Sequence, residues 1–345
     1  MKLPTDDSST DFRISLVVPV RDEAASIRML LDSLSAQTRQ PEEMVFVDGG
    51  SRDDTVGLLR AARESDERIR IIEATEASPG RGRNLGIEAA RHEWVALTDA
   101  GIRLEPTWLE RLAEVARRDP SVAVVYGNYE PLTVSFFERC AALSYPPPKQ
   151  ERQGGRMRGP STASMLLRRD AWQMVGGFPD LRAAEDLIFM ERLSAGGFKE
   201  GWSPGATAWW QLQPGLWRTF RKFVTYSRHN VWAGRQWDWH YGVARKYILM
   251  MPFLLLALAH SPWWLVVPLL ITLARVAKSI WQRREGRGLL WLLNPAQFLG
   301  VAVILLTIDA ATFIGWAQAL WQKPEQAQPA PTHAKSSSAI LDDGK

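Results

Sequence analysis

The sequence predicts an α/β fold, a mostly parallel sheet flanked by helices, followed by a small α-helical membrane region. Three observations carry that expectation. Between Arg13 and Arg118, short apolar runs of strand length alternate with amphipathic stretches of helix length, which requires crossover connections and a sheet covered on both faces. From Tyr247 onward the composition turns apolar. Charge is uneven although the formal net value is only +4: between Trp217 and Lys246 stand Arg218, Arg221, Lys222, Arg228, Arg235, Arg245 and Lys246 against Asp238 alone.

Residues 1–12 are polar and aperiodic and read as a flexible leader without the apolar run of a secretory signal. R-I-S-L-V-V (13–18) and E-M-V-F-V (43–47) are the first strands, followed by helical stretches at 23–36 and 53–64. R-I-R-I-I-E (68–73) and E-W-V-A-L-T (93–98) continue the alternation, with helices at 82–91 and 106–118. Ligands of such sheets bind beyond the carboxyl ends of the strands, so functional residues should follow Val18, Val47 and Thr98. After Val125 the pattern loosens. The stretch 144–160, with Pro146, Pro147, Pro148 and G-G-R-M-R-G-P, reads as an irregular loop or lid. S-T-A-S-M-L-L-R (161–168) reads as another strand, with helices at 170–175 and 184–195.

Residues 236–321 read as a juxtamembrane segment and about three transmembrane helices, 247–261, 263–280 and 296–321. A single helix over 247–280 would be about 50 Å long, well beyond a hydrocarbon core of about 30 Å, so a hairpin turning at His260, Ser261 and Pro262 fits better. Many of the sixteen tryptophans fall beside these runs, as an interfacial belt would place them. The basic loop Q-R-R-E-G-R-G (282–288) then lies on the side of the basic 217–246 segment. Positive-inside bias makes that side the cytoplasm, in a multi-pass protein of the cell membrane. Asp309, near the middle of the last run, must face protein to avoid a cost of roughly 2.5–3.5 kcal/mol. Residues 322–345 are expected to be a disordered tail on the far side. The lone Cys140 has no partner for an internal disulfide.

Chemistry-bearing residues stand where the fold expects them. V-V-P-V-R-D-E (17–23) ends the first strand at Pro19 and brings out Asp22 and Glu23, and V-D-G-G-S-R-D-D-T (47–55) puts Asp48 at the end of the second. G-R-G-R-N-L-G (80–86) offers backbone amides and arginines at a helix start, with neither dinucleotide-fingerprint spacing nor a Walker lysine. L-T-D-A-G-I-R (97–103) places Asp99 on the same edge, so Glu23, Asp48 and Asp99 converge from three strands. Their repulsion calls for a cation or sugar hydroxyls between them.

These motifs, with G-G-F (176–178) and A-E-D-L-I-F-M-E-R-L (184–193) in the same order, resemble the family 2 glycosyltransferases with the A-type nucleotide-diphospho-sugar fold, over about residues 13–235. The resemblance implies that Pro19, Glu23, Asp48, Arg83, Asn84 and Asp99 bind the nucleotide sugar. It also implies that Glu185 and Asp186 form the family's Glu-Asp pair over the acceptor site, with Asp186 as general base of an inverting transfer. The family's Asp-any-Asp motif is altered here: Gly101 replaces the second acid. A divalent cation (Mg or Mn) would therefore rest on Asp99 alone, and metal dependence is in doubt. Arg103, Gln211, Arg218, Arg221 and Arg228 are candidate diphosphate or acceptor contacts. The Gln-any-any-Arg-Trp motif of processive synthases has no match in W-W-Q-L-Q-P-G-L-W-R (209–218).

The expected activity is a single-sugar, non-processive transfer from a nucleotide-diphospho-sugar donor to a lipid-linked or membrane-proximal acceptor at the bilayer. Nucleic acid is not an expected partner. The competing reading is a catalytically degenerate member acting as a membrane-associated binding or scaffold protein, and intact Asp48, Asp99 and Asp186 favour the enzyme.

Overall fold

The computed structural model describes residues 12–288, 291 and 294–322. The leader before Phe12 and the tail after Gln322 lie outside the described residues. Strands β1 (Ile14–Val20), β2 (Glu43–Asp48), β3 (Ile69–Glu73) and β4 (Trp94–Leu97) form a parallel block. β9 (Met165–Arg168) runs antiparallel between β4 and β6 (Val122–Leu132). β10 (Lys199–Gln211) pairs parallel with β6 and antiparallel with the edge strand β5 (Ile102–Leu104). The resulting mixed, mostly parallel sheet has the order β3-β2-β1-β4-β9-β6-β10-β5.

The strands are buried on both faces, and their period of two divides the core. Leu16, Val18, Met44 and Phe46 pack with Leu30 of α1 (Ile27–Ser35), Leu59 of α2 (Thr55–Ser65) and Trp108 of α4 (Trp108–Arg118). Val17, Val45 and Val47 pack with Ile87 of α3 (Pro79–Ala89), Ala171 of α6 (Arg169–Met174) and Phe189 of α7 (Glu185–Ala195). Gly86 sets the depth of α3. A Cβ there would stand 2.3 Å from Val17 Cγ1, so only glycine lets this helix lie against β1 and aim its first turn at the strand ends.

The sheet and its loops depart from the sequence expectation in several places, among them the short strand β5. The stretch 144–160 is not wholly irregular, because it contains a hairpin of β7 (Gln150–Arg152) and β8 (Gly155–Met157) that reverses at Gly154 and Gly155, both at positive φ. β6 continues to Leu132 because its polar residues are paired: Asn128 Nδ2 donates to Glu130 Oε1 at 2.9 Å and Arg158 Nη2 to Glu130 Oε2 at 3.0 Å. β10 was hidden by its Ser203, Pro204 and Gly205, where its register with β6 shifts.

Beyond the sheet lies a helical layer of α5 (Phe136–Ala142), α8 (Leu216–Trp232), α9 (His240–Ala259), α10 (Val266–Gln282) and α11 (Pro295–Trp321). A third apolar cluster joins Cys140 of α5 to Val276 and Ile280 of α10 and to Val301, Ile304 and Ile308 of α11. Three segments are long and apolar enough to cross a membrane: His240–Ala259, Pro262–Gln282 and Pro295–Trp321. Asp309, 1% exposed, accepts from Arg275 Nη2 at 2.9 Å and Tyr247 Oη at 3.0 Å, so it does face protein.

Candidate active site

The carboxyl ends of β1, β2 and β4 open onto a cleft of about 640 Å³. Its walls include Pro19 near the end of β1 and Glu23 after it, Val47 and Gly49 flanking Asp48, Ser78 at the cap of α3 and Arg83 within it, Asp99 and Gly101 after β4, Glu185 and Asp186 at the start of α7, and Tyr226 and Asn230 from α8. Ser78 caps α3, accepting from the Arg81 amide at 3.1 Å, with Pro79 as the first helical residue.

Arg83 organises the centre. Its Nη1 donates to Glu185 Oε1 at 2.8 Å and its Nη2 to Asp99 Oδ1 at 2.7 Å. Burial alone would lower its pKa, but Asp99, Glu185 and Asp186 more than offset that and raise it, so this guanidinium stays charged. Burial pushes the Glu185 carboxyl up to about 7 against the pull of Arg83, with repulsion from Asp186 adding to the rise. Burial also raises Asp186, against Arg83, and Asp99 adds repulsion. Glu23 rises through burial, opposed by its bond from Ser26 and helped by Asp99.

The backbone is strained at the same place. Ala184, immediately before the acid pair, sits at φ +69°, and Asp22 sits at φ +56°. A left-handed non-glycine residue costs on the order of 1–3 kcal/mol, and both of these line the cleft. The turn at Ala184 delivers Glu185 and Asp186 to the first turn of α7.

Other expected residues take different positions. Asp48 is buried and accepts from the amides of Gly50 at 3.0 Å and Ser51 at 3.1 Å, so it shapes the turn whose Gly49 lines the cleft. Asn84 is spent on the neighbouring loop: its Oδ1 accepts from Trp172 Nε1 at 3.0 Å and the Phe178 amide at 2.9 Å, and its Nδ2 donates to the Phe178 carbonyl at 2.8 Å. Arg103, Gln211, Arg218 and Arg221 are exposed and outside the cleft lining, with Arg103 5.5 Å from the Trp209 ring. Arg228 donates to Gln322 Oε1 at 2.8 Å, at the end of α11.

Sequence reasoning missed the face of α8 that meets the cleft. Tyr226 and Asn230 line the cleft, and Lys222, one turn earlier on the same face, stands outside the lining but within electrostatic reach of Asp99. Lys222 Nζ lies 4.7 Å from the Trp210 ring and 5.3 Å from the Tyr226 ring. Burial lowers its pKa to about 8, with Asp99 pulling the other way. The helical period in T-F-R-K-F-V-T-Y-S-R-H-N was the available signal.

For a metal, the described residues include no group of three or more His, Cys, Asp or Glu able to hold an ion. Asp99 has one oxygen engaged by Arg83 and the other left for a ligand. A Cβ at Gly101 would meet only Glu23 Oε2, at 4.0 Å, so space for a second acid exists but the acid does not.

Residues 15–174 match the model of Glycosyl transferase family 2. The putative glycosyltransferase EpsH of Bacillus subtilis is 32% identical over 111 residues, 32% of this chain and 32% of that protein. The glycosyltransferase AglE of Haloferax volcanii is 27% identical over 192 residues, 54% of this chain and 62% of its own length. The chain spans about a third of the length of the first curated relatives it matches, at 32% and 31%. Among solved structures, the mannosyltransferase PcManGT of Pyrobaculum calidifontis, in complex with GDP-Man and Mn2+, superposes with a TM-score of 0.53 at 18% identity, covering 90% of this chain and 88% of that one. That likeness shows the A-type fold.

Proposed function

We propose that this protein is a membrane-anchored, inverting glycosyltransferase that moves one sugar from a nucleotide diphosphate donor to a lipid-linked or membrane-proximal acceptor. The observation that carries the reading is the junction at Arg83, which ties Asp99, on the strand-end side, to Glu185 beside Asp186. The donor nucleoside lies over the turns of β1 and β2, against Pro19, Glu23 and the Asp48 turn. The acceptor hydroxyl approaches from the side of α7.

In the transfer, the acceptor oxygen attacks the anomeric carbon on the face opposite the diphosphate. Asp186 takes the hydroxyl proton, the sugar–phosphate bond breaks, and the nucleoside diphosphate leaves with the electron pair. Burial that raises the Asp186 pKa also makes its carboxylate a better base than a solvated aspartate. Glu185 holds Arg83 in place. Lys222 supplies positive charge from α8 toward the leaving diphosphate, beside Asp99.

The metal-bound state of PcManGT belongs to that protein. Here Asp99 is the side chain that would hold a divalent ion, which supplies electrostatic stabilisation of a departing diphosphate when bound. The remaining ligands would come from the donor and water. The cytoplasmic placement of the catalytic domain rests on the basic residues of 217–246 and 282–288.

The test is hydrolysis and transfer from a panel of nucleotide sugars by the purified full chain in detergent, wild type against Asp186→Asn. Donor binding without turnover in the wild type, for every acceptor tried, would favour the scaffold reading.

A further inference from the structure

The three apolar helices are not alike in what they touch. α9 and α10 leave most of their length unpacked: their spanning windows are 11% and 17% buried, against 44% for α11. α11 touches the glycosyltransferase domain from its first turn to its end. At its start the Gln297 carbonyl lies 3.9 Å from Cys140 Sγ of α5, and a Cβ on Gly300 would meet that sulfur at 2.6 Å. Midway, Ser227 Oγ of α8 donates to the Thr312 carbonyl at 2.7 Å, and Gly315 admits the α8 backbone at Val224. At its end Trp232 Nε1 donates to the Ala319 carbonyl at 3.3 Å, and Arg228 reaches Gln322. The contact from Gln297 to Gln322 runs about 38 Å along the helix, longer than a hydrocarbon core of about 30 Å.

If α11 crossed a bilayer, α5 and α8 would have to enter it beside this helix. The other face of α8 carries Lys222, Tyr226 and Asn230, and across the cleft from them lie Asp99, Glu185 and Asp186. Charges at the membrane centre cost roughly 2.5–3.5 kcal/mol each on insertion scales, and this cleft gathers several.

The free side of α11 has its own pattern. Leu299, Val303, Leu306, Ala310, Ile314, Ala317 and Trp321 are exposed and recur every three or four residues, an unbroken apolar stripe along one side of the helix. Of the helices packed against α11, α8 carries exposed Arg218 and Arg221, α9 Arg245 and α10 Lys278 with no acid among the three, while the short α5 carries Glu138 beside Arg139. An apolar stripe on a helix whose neighbours α8, α9 and α10 carry cations and no acid complements one leaflet of anionic lipid.

We infer that α11 lies in the plane of the membrane surface, its apolar stripe in the leaflet and its other side carrying α8, so that the chain after Gln322 stays on the same side as the catalytic domain. This rests on the membrane-anchored reading above. It replaces three crossings with an α9–α10 hairpin as the only inserted element among the described residues. It also places the donor cleft one helix layer from lipid, within reach of a lipid-linked acceptor.

The experiment places spin labels singly, through cysteine, at Leu299, Leu306, Ile314 and Leu320 of the full chain bound to phosphatidylcholine–phosphatidylglycerol vesicles. Native Cys140 is buried and remains unlabelled. Power saturation with oxygen and a nickel chelate reads depth. Equal, shallow depths at all four positions are expected. Labels at Leu306 and Ile314 near the bilayer centre, with Leu299 and Leu320 near opposite surfaces, would overturn the inference. A second arm compares an impermeant maleimide on Glu67→Cys, in the catalytic domain, and Ser337→Cys in sealed cells: the same accessibility supports it and opposite accessibility overturns it. Protein left in the supernatant after vesicle sedimentation would instead sink the membrane reading itself.

Discussion

The two walls of the cleft are built on different principles. The sheet-edge wall is held by backbone: Asp48 is gripped by the amides of Gly50 and Ser51, Pro19 lies near the end of β1, and Asp99 stands just beyond the end of β4. The α8 wall is held by packing, with Ser227 and Gly315 fitting α8 to α11 while Lys222, Tyr226 and Asn230 face the other way. A wall fixed by strand order is insensitive to surroundings. A wall resting on α11 takes its position from that helix.

The largest expected effect falls between the walls, at the start of α7. Asp186→Asn should lower kcat by about 10²–10⁴, the loss typical of a positioned base, while nucleotide affinity by calorimetry stays within a few-fold. Near-normal turnover would remove Asp186 from the proton transfer and leave the sheet-edge wall as a binding surface only.

Next is the α8 wall. Lys222→Met should cost about 10–10² in kcat/KM, because a cation facing the leaving diphosphate stabilises charge that develops in the transition state. Its pH signature is specific. The Asp186 pKa is raised, so the acid limb of kcat/KM should lie above the range of an ordinary aspartate as the base becomes protonated. Lys222, with its pKa lowered to about 8, loses its charge as pH climbs past that value, which sets the alkaline limb. Lys222→Arg should remove the alkaline limb while keeping most activity. An alkaline limb unchanged in that variant would assign it elsewhere.

The same contrast explains what could be read from the sequence. Glu23 and Asp99 were legible because alternation of strands and helices fixes which residues leave the sheet edge, whereas Glu185 and Asp186 were legible only through the family resemblance of A-E-D-L-I-F-M-E-R-L. The Asp48 turn was legible as a position, though its carboxylate is engaged by the backbone rather than open to the cleft. Asn84 looked like a ligand residue in R-N-L-G, and only the tertiary structure brings Trp172 and Phe178 onto it. On α8 the conspicuous arginines, Arg218, Arg221 and Arg228, are not among the residues that line the cleft, although Arg218 stands one turn before Lys222 on the same face. Lys222 was hidden among them, since charge density does not encode which side of a helix docks.

A smaller effect is expected at the sheet-edge wall. Asp48→Ala should weaken nucleotide binding by about 10-fold, as expected when hydrogen bonds to a charged group are lost and the turn bearing Gly49 loosens. Calorimetric titration of the nucleotide checks this, with a thermal melt to show that the fold survives. Unchanged affinity would mean that the turn keeps its shape without its carboxylate and that the nucleoside is held elsewhere.

The smallest expected effect, and the one that separates the two walls as sources of positive charge, is at Gly101. In the sheet-edge wall Asp99, the acid kept from the motif, has one oxygen bonded to Arg83, and Glu23 is the nearest further carboxylate. In the α8 wall, Lys222 supplies a fixed charge that chelation cannot remove. Activity should therefore fall by no more than a few-fold in excess chelator. Gly101→Asp adds a second acid where space exists, its Cβ no nearer than 4.0 Å to Glu23 Oε2. This variant should gain activity of up to a few-fold on addition of Mg or Mn and lose that gain on chelation, because two carboxylates and a diphosphate approach the hard-oxygen set these ions prefer. Combining Gly101→Asp with Lys222→Met gives the sharper outcome: the added metal should restore part of what the lysine supplied. Wild-type activity abolished by chelator and recovered with Mg or Mn would reverse the assignment, making the ion on Asp99 the main source of charge and Lys222 a residue that packs α8 against Trp210 and Tyr226.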